Sequence, residues 1–176
     1  MKPIDQLPSG QPSPHAQCGI GGGPIVLGSI DFPAEAHQVR TARHWLRELL
    51  GKNHPAVSEV ELLGSELITN SILHSDSARL DECGRPGFVS VTVLSTSQTI
   101  RVEVTDAGSA SSIPRLVDGG PDAVSGRGLR LLREITGGRY GMRTHEAGRT
   151  MWFELDCSPA VGTAEHCASA RARTSR

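Results

Sequence analysis

The apolar positions change period several times along the chain, and each change marks an element. Ile25, Val26, Leu27 and Ile30 form a short apolar run that predicts a first strand ending before Pro33. From Ala34, the apolar residues Ala36, Val39, Ala42, Leu46, Leu49 and Leu50 recur at helical spacing until Gly51, so a helix is expected there. Pro55 precedes a second helical stretch over Val57 to His74. Its apolar residues Val60, Leu62, Leu63, Leu67, Ile68, Ile72 and Leu73 fall almost all round the wheel, the pattern of a buried helix. Gly84-Arg85-Pro86-Gly87 reads as a turn. Phe88, Val89, Val91 and Val93, then Ile100, Val102 and Val104, predict two strands joined through Ser95 to Gln98 as an antiparallel hairpin.

The pattern stops after Asp106. Residues 107–125 contain Gly108, Pro114, Gly119, Gly120 and Pro121 with little periodicity. Such a loop exceeds the ~12–15 residues usual inside a compact domain and reads as a lid or a disordered segment. A third helix is expected from near Gly126, with Leu129, Leu131, Leu132 and Ile135 apolar. Arg139 to Thr144 and Thr150 to Leu155 predict a closing hairpin around Ala147-Gly148. The Pro/Gly/Ser/Gln-rich residues 1–23 and the Ala/Ser/Thr/Arg-rich residues 158–176 carry no period that could bury a face, and read as disordered flanks. One ordered domain over 24–157 is left. Its order of elements predicts an α/β fold, a mixed sheet with helices packed on one face.

Composition narrows the function. The 176 residues carry 18 Lys and Arg against 19 Asp and Glu, so no overall charge favours nucleic acid or an anionic membrane. Two Trp, one Tyr and three Phe leave few platforms for stacking single-stranded bases. No run approaches the length of a membrane-spanning helix. The first 23 residues lack the apolar core of a signal peptide, so a cytoplasmic location is expected. Cys18, Cys83, Cys157 and Cys167 are far apart without a CxxC pair, which argues against a disulfide framework or a zinc site. Glycine makes up about 11% of the chain against a usual ~7%, and nine of the glycines lie between Gly108 and Gly148.

Three segments carry candidate chemistry. Glu66, Asn70 and His74, spaced by four, lie on one stripe of the second helix. The stripe is either a solvated edge or a carboxylate base beside an amide oxygen suited to Mg2+. His74 is either a partner of that site or a structural histidine. Asp106-Ala107-Gly108 ends a strand, where a carboxylate can accept from a ligand's amino group while the glycine permits close approach. Asp-x-Gly is also an ordinary turn. Ser125-Gly126-Arg127-Gly128-Leu129 opens the third helix, where backbone N–H groups and the positive helix end suit a phosphate, or simply a capped start. Arg127, Arg130 and Arg133 could add charge there. The chain holds no GxxxxGK[ST], and Gly19 to Pro24 does not complete a GxGxxG.

In chain order, Glu66-Leu67-Ile68-Thr69-Asn70, Asp106-Ala107-Gly108 and Gly126-Arg127-Gly128 resemble the N, G1 and G2 boxes of the gyrase, heat-shock chaperone, histidine-kinase and MutL (GHKL) ATPases. Residues 30–156, including Ala42 to Leu50, Ser65 to Ser75 and Gly148 to Leu155, look like the stand-alone anti-sigma-factor serine kinases of that superfamily. The resemblance implies a Bergerat-type two-layer α/β sandwich, its sheet mixed but largely antiparallel, that binds ATP and Mg2+. It implies Glu66 as general base, Asn70 as Mg2+ ligand and Asp106 as acceptor for the adenine amine, with Gly108 admitting the base. Gly126 and Gly128, with Arg127 and Leu129 beside them, would face the phosphates, and residues 109–125 would form the lid. Ala110 stands where a second G1 glycine is common. The implied partners are an anti-sigma-factor antagonist as phospho-acceptor and a sigma factor as sequestered protein; dimerisation is common in the family. An ATP-binding switch that sequesters a partner without phosphoryl transfer would use the same pocket.

Overall fold

The computed structural model describes residues 23–109, 127–146 and 148–157. Residues 1–22, 110–126, Ala147 and 158–176 lie outside the described residues; they hold the flanks and the expected lid except for Gly23 and Ser109, together with Gly126 and part of the closing turn, and of Arg127 only the backbone is described. Strands β1 (Ile25–Pro33), β2 (Phe88–Ser95), β3 (Thr99–Asp106), β4 (Tyr140–His145) and β5 (Gly148–Asp156) form one sheet in the order β1-β2-β3-β5-β4. Helices α1 (Gln38–Leu50), α2 (Val57–His74) and α3 (Arg127–Thr136) complete the described elements, with a 3-10 turn at Asp76–Ala78. All four strand pairings are antiparallel, so the sheet expected to be mixed and largely antiparallel is antiparallel throughout its described strands.

The strands alternate because one face of the sheet is covered. In β2 and β3 every second residue is buried, and Val89, Val91, Val93, Ile100, Val102 and Val104 present that face. Val60, Leu63, Leu67 and Ile68 of α2 join them, with Leu46 of α1, Leu132 of α3 and Phe153 of β5, in a single core. Two layers result, helices on sheet. The helix-wide apolar pattern of α2 overstates its burial: Leu62 and Leu73 are 43% and 65% exposed. Gly64 admits α1 closely, since a Cβ there would lie 2.7 Å from Leu46 Cδ1. On the same crossing, Arg43 Nε donates to Ser65 Oγ at 3.0 Å and Arg47 pairs with Glu61.

Helix α1 starts at Gln38 rather than at Ala34. The Ala34 amide donates to the Gly87 carbonyl at 2.9 Å and the Glu35 amide to Pro33, so these residues extend the sheet edge and turn before the helix begins. Before α2, the Ala56 amide donates to His54 Nδ1 at 3.2 Å, and burial pushes the His54 pKa below its ordinary 6.5. The fold therefore favours the neutral ring. Below pH ~6.5 the unfolded chain takes up a proton that the folded chain resists, so stability falls as pH falls through that range. Asp81 and Asp156, both lowered from 3.8 by hydrogen bonds (from the Arg85 backbone and the Arg139 side chain, respectively), lose their contributions only at lower pH. His54→Gln is expected to flatten the decline in thermal midpoint between about pH 7 and 5.5; an unchanged decline would remove His54 from its causes.

Candidate functional site

Antiparallel pairing of β3 with β5 brings the end of one strand to the start of the other, so that Asp106 lies opposite Arg149. Asp106 Oδ1 accepts the Gly108 amide at 2.8 Å, and Oδ2 accepts Arg149 Nη2 at 2.8 Å. The two side chains are 0% and 4% exposed. A buried carboxylate is expensive unless paired and hydrogen-bonded, and here it is both. Gly108 has φ +70, and a Cβ on it would lie 3.6 Å from Gly148 Cα. Gly148 has φ +137, and a Cβ there would collide with the Asp106 carbonyl oxygen. Both glycines are required where the two strand ends cross.

The 3-10 turn after α2 fastens this corner. The Ala107 amide donates to Ser77 Oγ at 2.9 Å, and the Asp76 amide donates to the Gly108 carbonyl at 2.6 Å. Ser77, 1% exposed, is itself held by its amide donating to Ser75 Oγ. The end of α2 and the Asp106-Ala107-Gly108 corner are thus one hydrogen-bonded unit.

On α2, Glu66 and Asn70 are half-buried while His74 is exposed at the last turn. Helix α3 meets α2 at Gly128, where a Cβ would lie only 2.8 Å from Glu66 Oε2. The glycine therefore lets the first turn of α3 approach the carboxylate. Leu129 follows, packed partly against the core. The structure brings Glu66 to Gly128 and, separately, Asp106 to Gly108; His74 stands outside both contacts. Sequence patterns assigned no role to Arg149 or Ser77. Arg149 needed the strand register to be found, and Ser77 a 3-10 turn that no apolar period marks.

A sequence profile of the histidine kinase-like ATPase domain matches residues 32–152, which span all these groups. The chain belongs to that family. Sequence comparison with curated proteins finds no match. Among solved structures, a Mycobacterium tuberculosis chain described as the RsbU and RsbW domains of Rv1364c shares the fold, with a TM-score of 0.51 and 17% identity. The likeness covers 76% of this chain and 34% of that one, so the present chain spans about a third of its length.

A histidine kinase-like ATPase domain implies ATP as ligand, and the donor set suits it. Gly128 lets the first turn of α3 lie against the Glu66 carboxylate, and Arg149 Nε is a buried donor with no partner among the described residues. Mg2+ prefers hard oxygens, few from protein and the rest from phosphates and water. The amide oxygen of half-buried Asn70 is a donor of that hard kind. Among the described residues, no group of three or more His, Cys, Asp or Glu could hold a metal by itself. No described helix is long and apolar enough to cross a membrane.

Proposed function

We propose that this domain, residues 24–157, is a cytoplasmic ATP-dependent serine/threonine protein kinase of the anti-sigma type, whose phospho-acceptor is an anti-sigma-factor antagonist and whose second partner is a sigma factor. The observation that carries the reading is the contact between Glu66 and the opening turn of α3, a carboxylate base beside a phosphate-type helix start. Family membership and the resemblance of the motifs to anti-sigma-factor kinases support it.

When bound, Mg2+–ATP supplies the phosphoryl group and a cation's charge. Asp106 accepts from the adenine amine, and Gly108 leaves room for the base. Asn70 would hold the cation by its amide oxygen. As the family resemblance implies, Gly126, Arg127, Gly128 and Leu129 would offer backbone amides to the phosphates. Glu66 accepts the proton of the acceptor hydroxyl as that oxygen bonds to the γ-phosphorus and the bond to the β-phosphate oxygen breaks. Beyond this the protein has only to position and to balance charge.

Incubation of the protein with labelled ATP and an anti-sigma-factor antagonist is expected to yield phosphoserine or phosphothreonine on the antagonist. Tight ATP binding without transfer would replace the kinase by a nucleotide-controlled switch. Asn70→Ala is expected to weaken Mg2+–ATP binding in calorimetry while leaving the fold intact; unchanged affinity would remove Asn70 from the site. Gly128→Ala gains up to about 1 kcal/mol of helix propensity, yet its methyl displaces the Glu66 carboxylate. The expected outcome is an unchanged or raised thermal midpoint with phosphoryl transfer slowed by about 10²-fold.

A further inference from the structure

The guanidinium of Arg149 lies against the Asp106 carboxylate, Nη2 to Oδ2 at 2.8 Å. Both side chains come from register partners on adjacent strands, and their ion pair is enclosed. The Gly108 amide takes one carboxylate oxygen and Arg149 Nη2 the other, so each oxygen keeps a lone pair for a further donor. Arg149 Nε is also buried, and no acceptor among the described residues reaches it. Buried donors are seldom left without an acceptor, and a ligand can supply the missing one. The corner therefore offers an acceptor and a spare donor on one rigid ion pair.

We propose that Arg149 is a second base-reading residue: while Asp106 accepts from the adenine amine, the guanidinium donates to the ring nitrogen beside that amine. The inference rests on the ATP-site reading. Adenine carries acceptors at N1 and N7 on either side of its amine. An acceptor coupled to a donor is the pattern by which a carboxamide reads the adenine edge in two hydrogen bonds. The Asp106–Arg149 pair provides the same pattern, with each charge compensating the other. Gly148 and Gly108 fix its position by bringing the two strand ends together.

The test titrates the full chain with Mg2+ salts of ATP, 1-deaza-ATP and 7-deaza-ATP, each analogue lacking one ring acceptor. The wild type is expected to bind one analogue roughly fivefold or more weakly than ATP. Arg149→Met should remove the difference. Because that variant leaves Asp106 buried without its partner, Arg149→Lys is measured beside it: its ammonium stays on the carboxylate but has no second planar N–H. It is expected to remain folded and to bind ATP and both analogues within about twofold of each other. A purely structural role for Arg149 would weaken all three nucleotides equally. Equal binding of all three by the wild type, or undiminished discrimination in Arg149→Lys, overturns the proposal. Failure of the wild type to bind ATP itself overturns the nucleotide reading, and the ATP titration alone reveals it.

Discussion

Asp106→Ala is expected to destabilise the domain by about 3–5 kcal/mol, because it leaves the Arg149 charge buried without its counter-ion. Domains of this size are stable by only about 5–15 kcal/mol, so the variant should lose roughly 10–20 °C in thermal midpoint. The size of the effect follows from burial. The Arg139–Asp156 pair is bidentate yet its side chains are 41% and 62% exposed, and a pair so solvated and screened contributes little. At Asp106 and Arg149 water has no comparable access. The double replacement Asp106→Leu with Arg149→Met separates pairing from charge. Removing both charges in favour of apolar groups of similar volume is often neutral or stabilising, so the double variant should recover most of the stability lost by the single one. It should still fail to bind ATP. Denaturant midpoints of the wild type, the single and the double variant check this. Equal destabilisation in single and double variants would mean that shape, not uncompensated charge, sets the cost.

The elements with one buried face were legible in the sequence because burial imposes a period. The alternating valines of β2 and β3 and the Glu66–Asn70 spacing on α2 reappear in the structure as expected. Edges were less legible, because hydrogen bonds decide them. The Ala34 amide is held by Gly87, far along the chain, and no local propensity announces that bond. Strand order was hidden for a similar reason. Strand β5 enters between β3 and β4, and only that insertion sets Arg149 opposite Asp106. Gly148, Arg149, Thr150 and Met151 are then buried in succession, where simple alternation would expose every second residue. An arginine after a glycine at a strand start looks solvated in one dimension; in three it neutralises the buried carboxylate of the site. Half of the candidate site was thus readable as motifs, and the half that holds Asp106 in place was readable only from register.

Glu66→Gln is expected to abolish phosphoryl transfer, by about 10²–10⁴-fold, while leaving ATP affinity within about twofold of the wild type. The carboxamide has nearly the size of the carboxylate, so the first turn of α3 keeps its distance at Gly128. It has no basic oxygen to take a proton from an acceptor hydroxyl. Glu66 is half-buried, so the change of charge should cost little stability. The measurement pairs single-turnover transfer of labelled phosphate to the antagonist with calorimetric titration of Mg2+–ATP. Comparison with Gly128→Ala sharpens it, since that variant keeps the base but displaces it. Loss of transfer in both variants with affinity retained places the defect at proton acceptance by a correctly positioned carboxylate. Loss of ATP affinity in Glu66→Gln would make the carboxylate a support of the phosphate site instead, and undiminished transfer would remove Glu66 from the reaction.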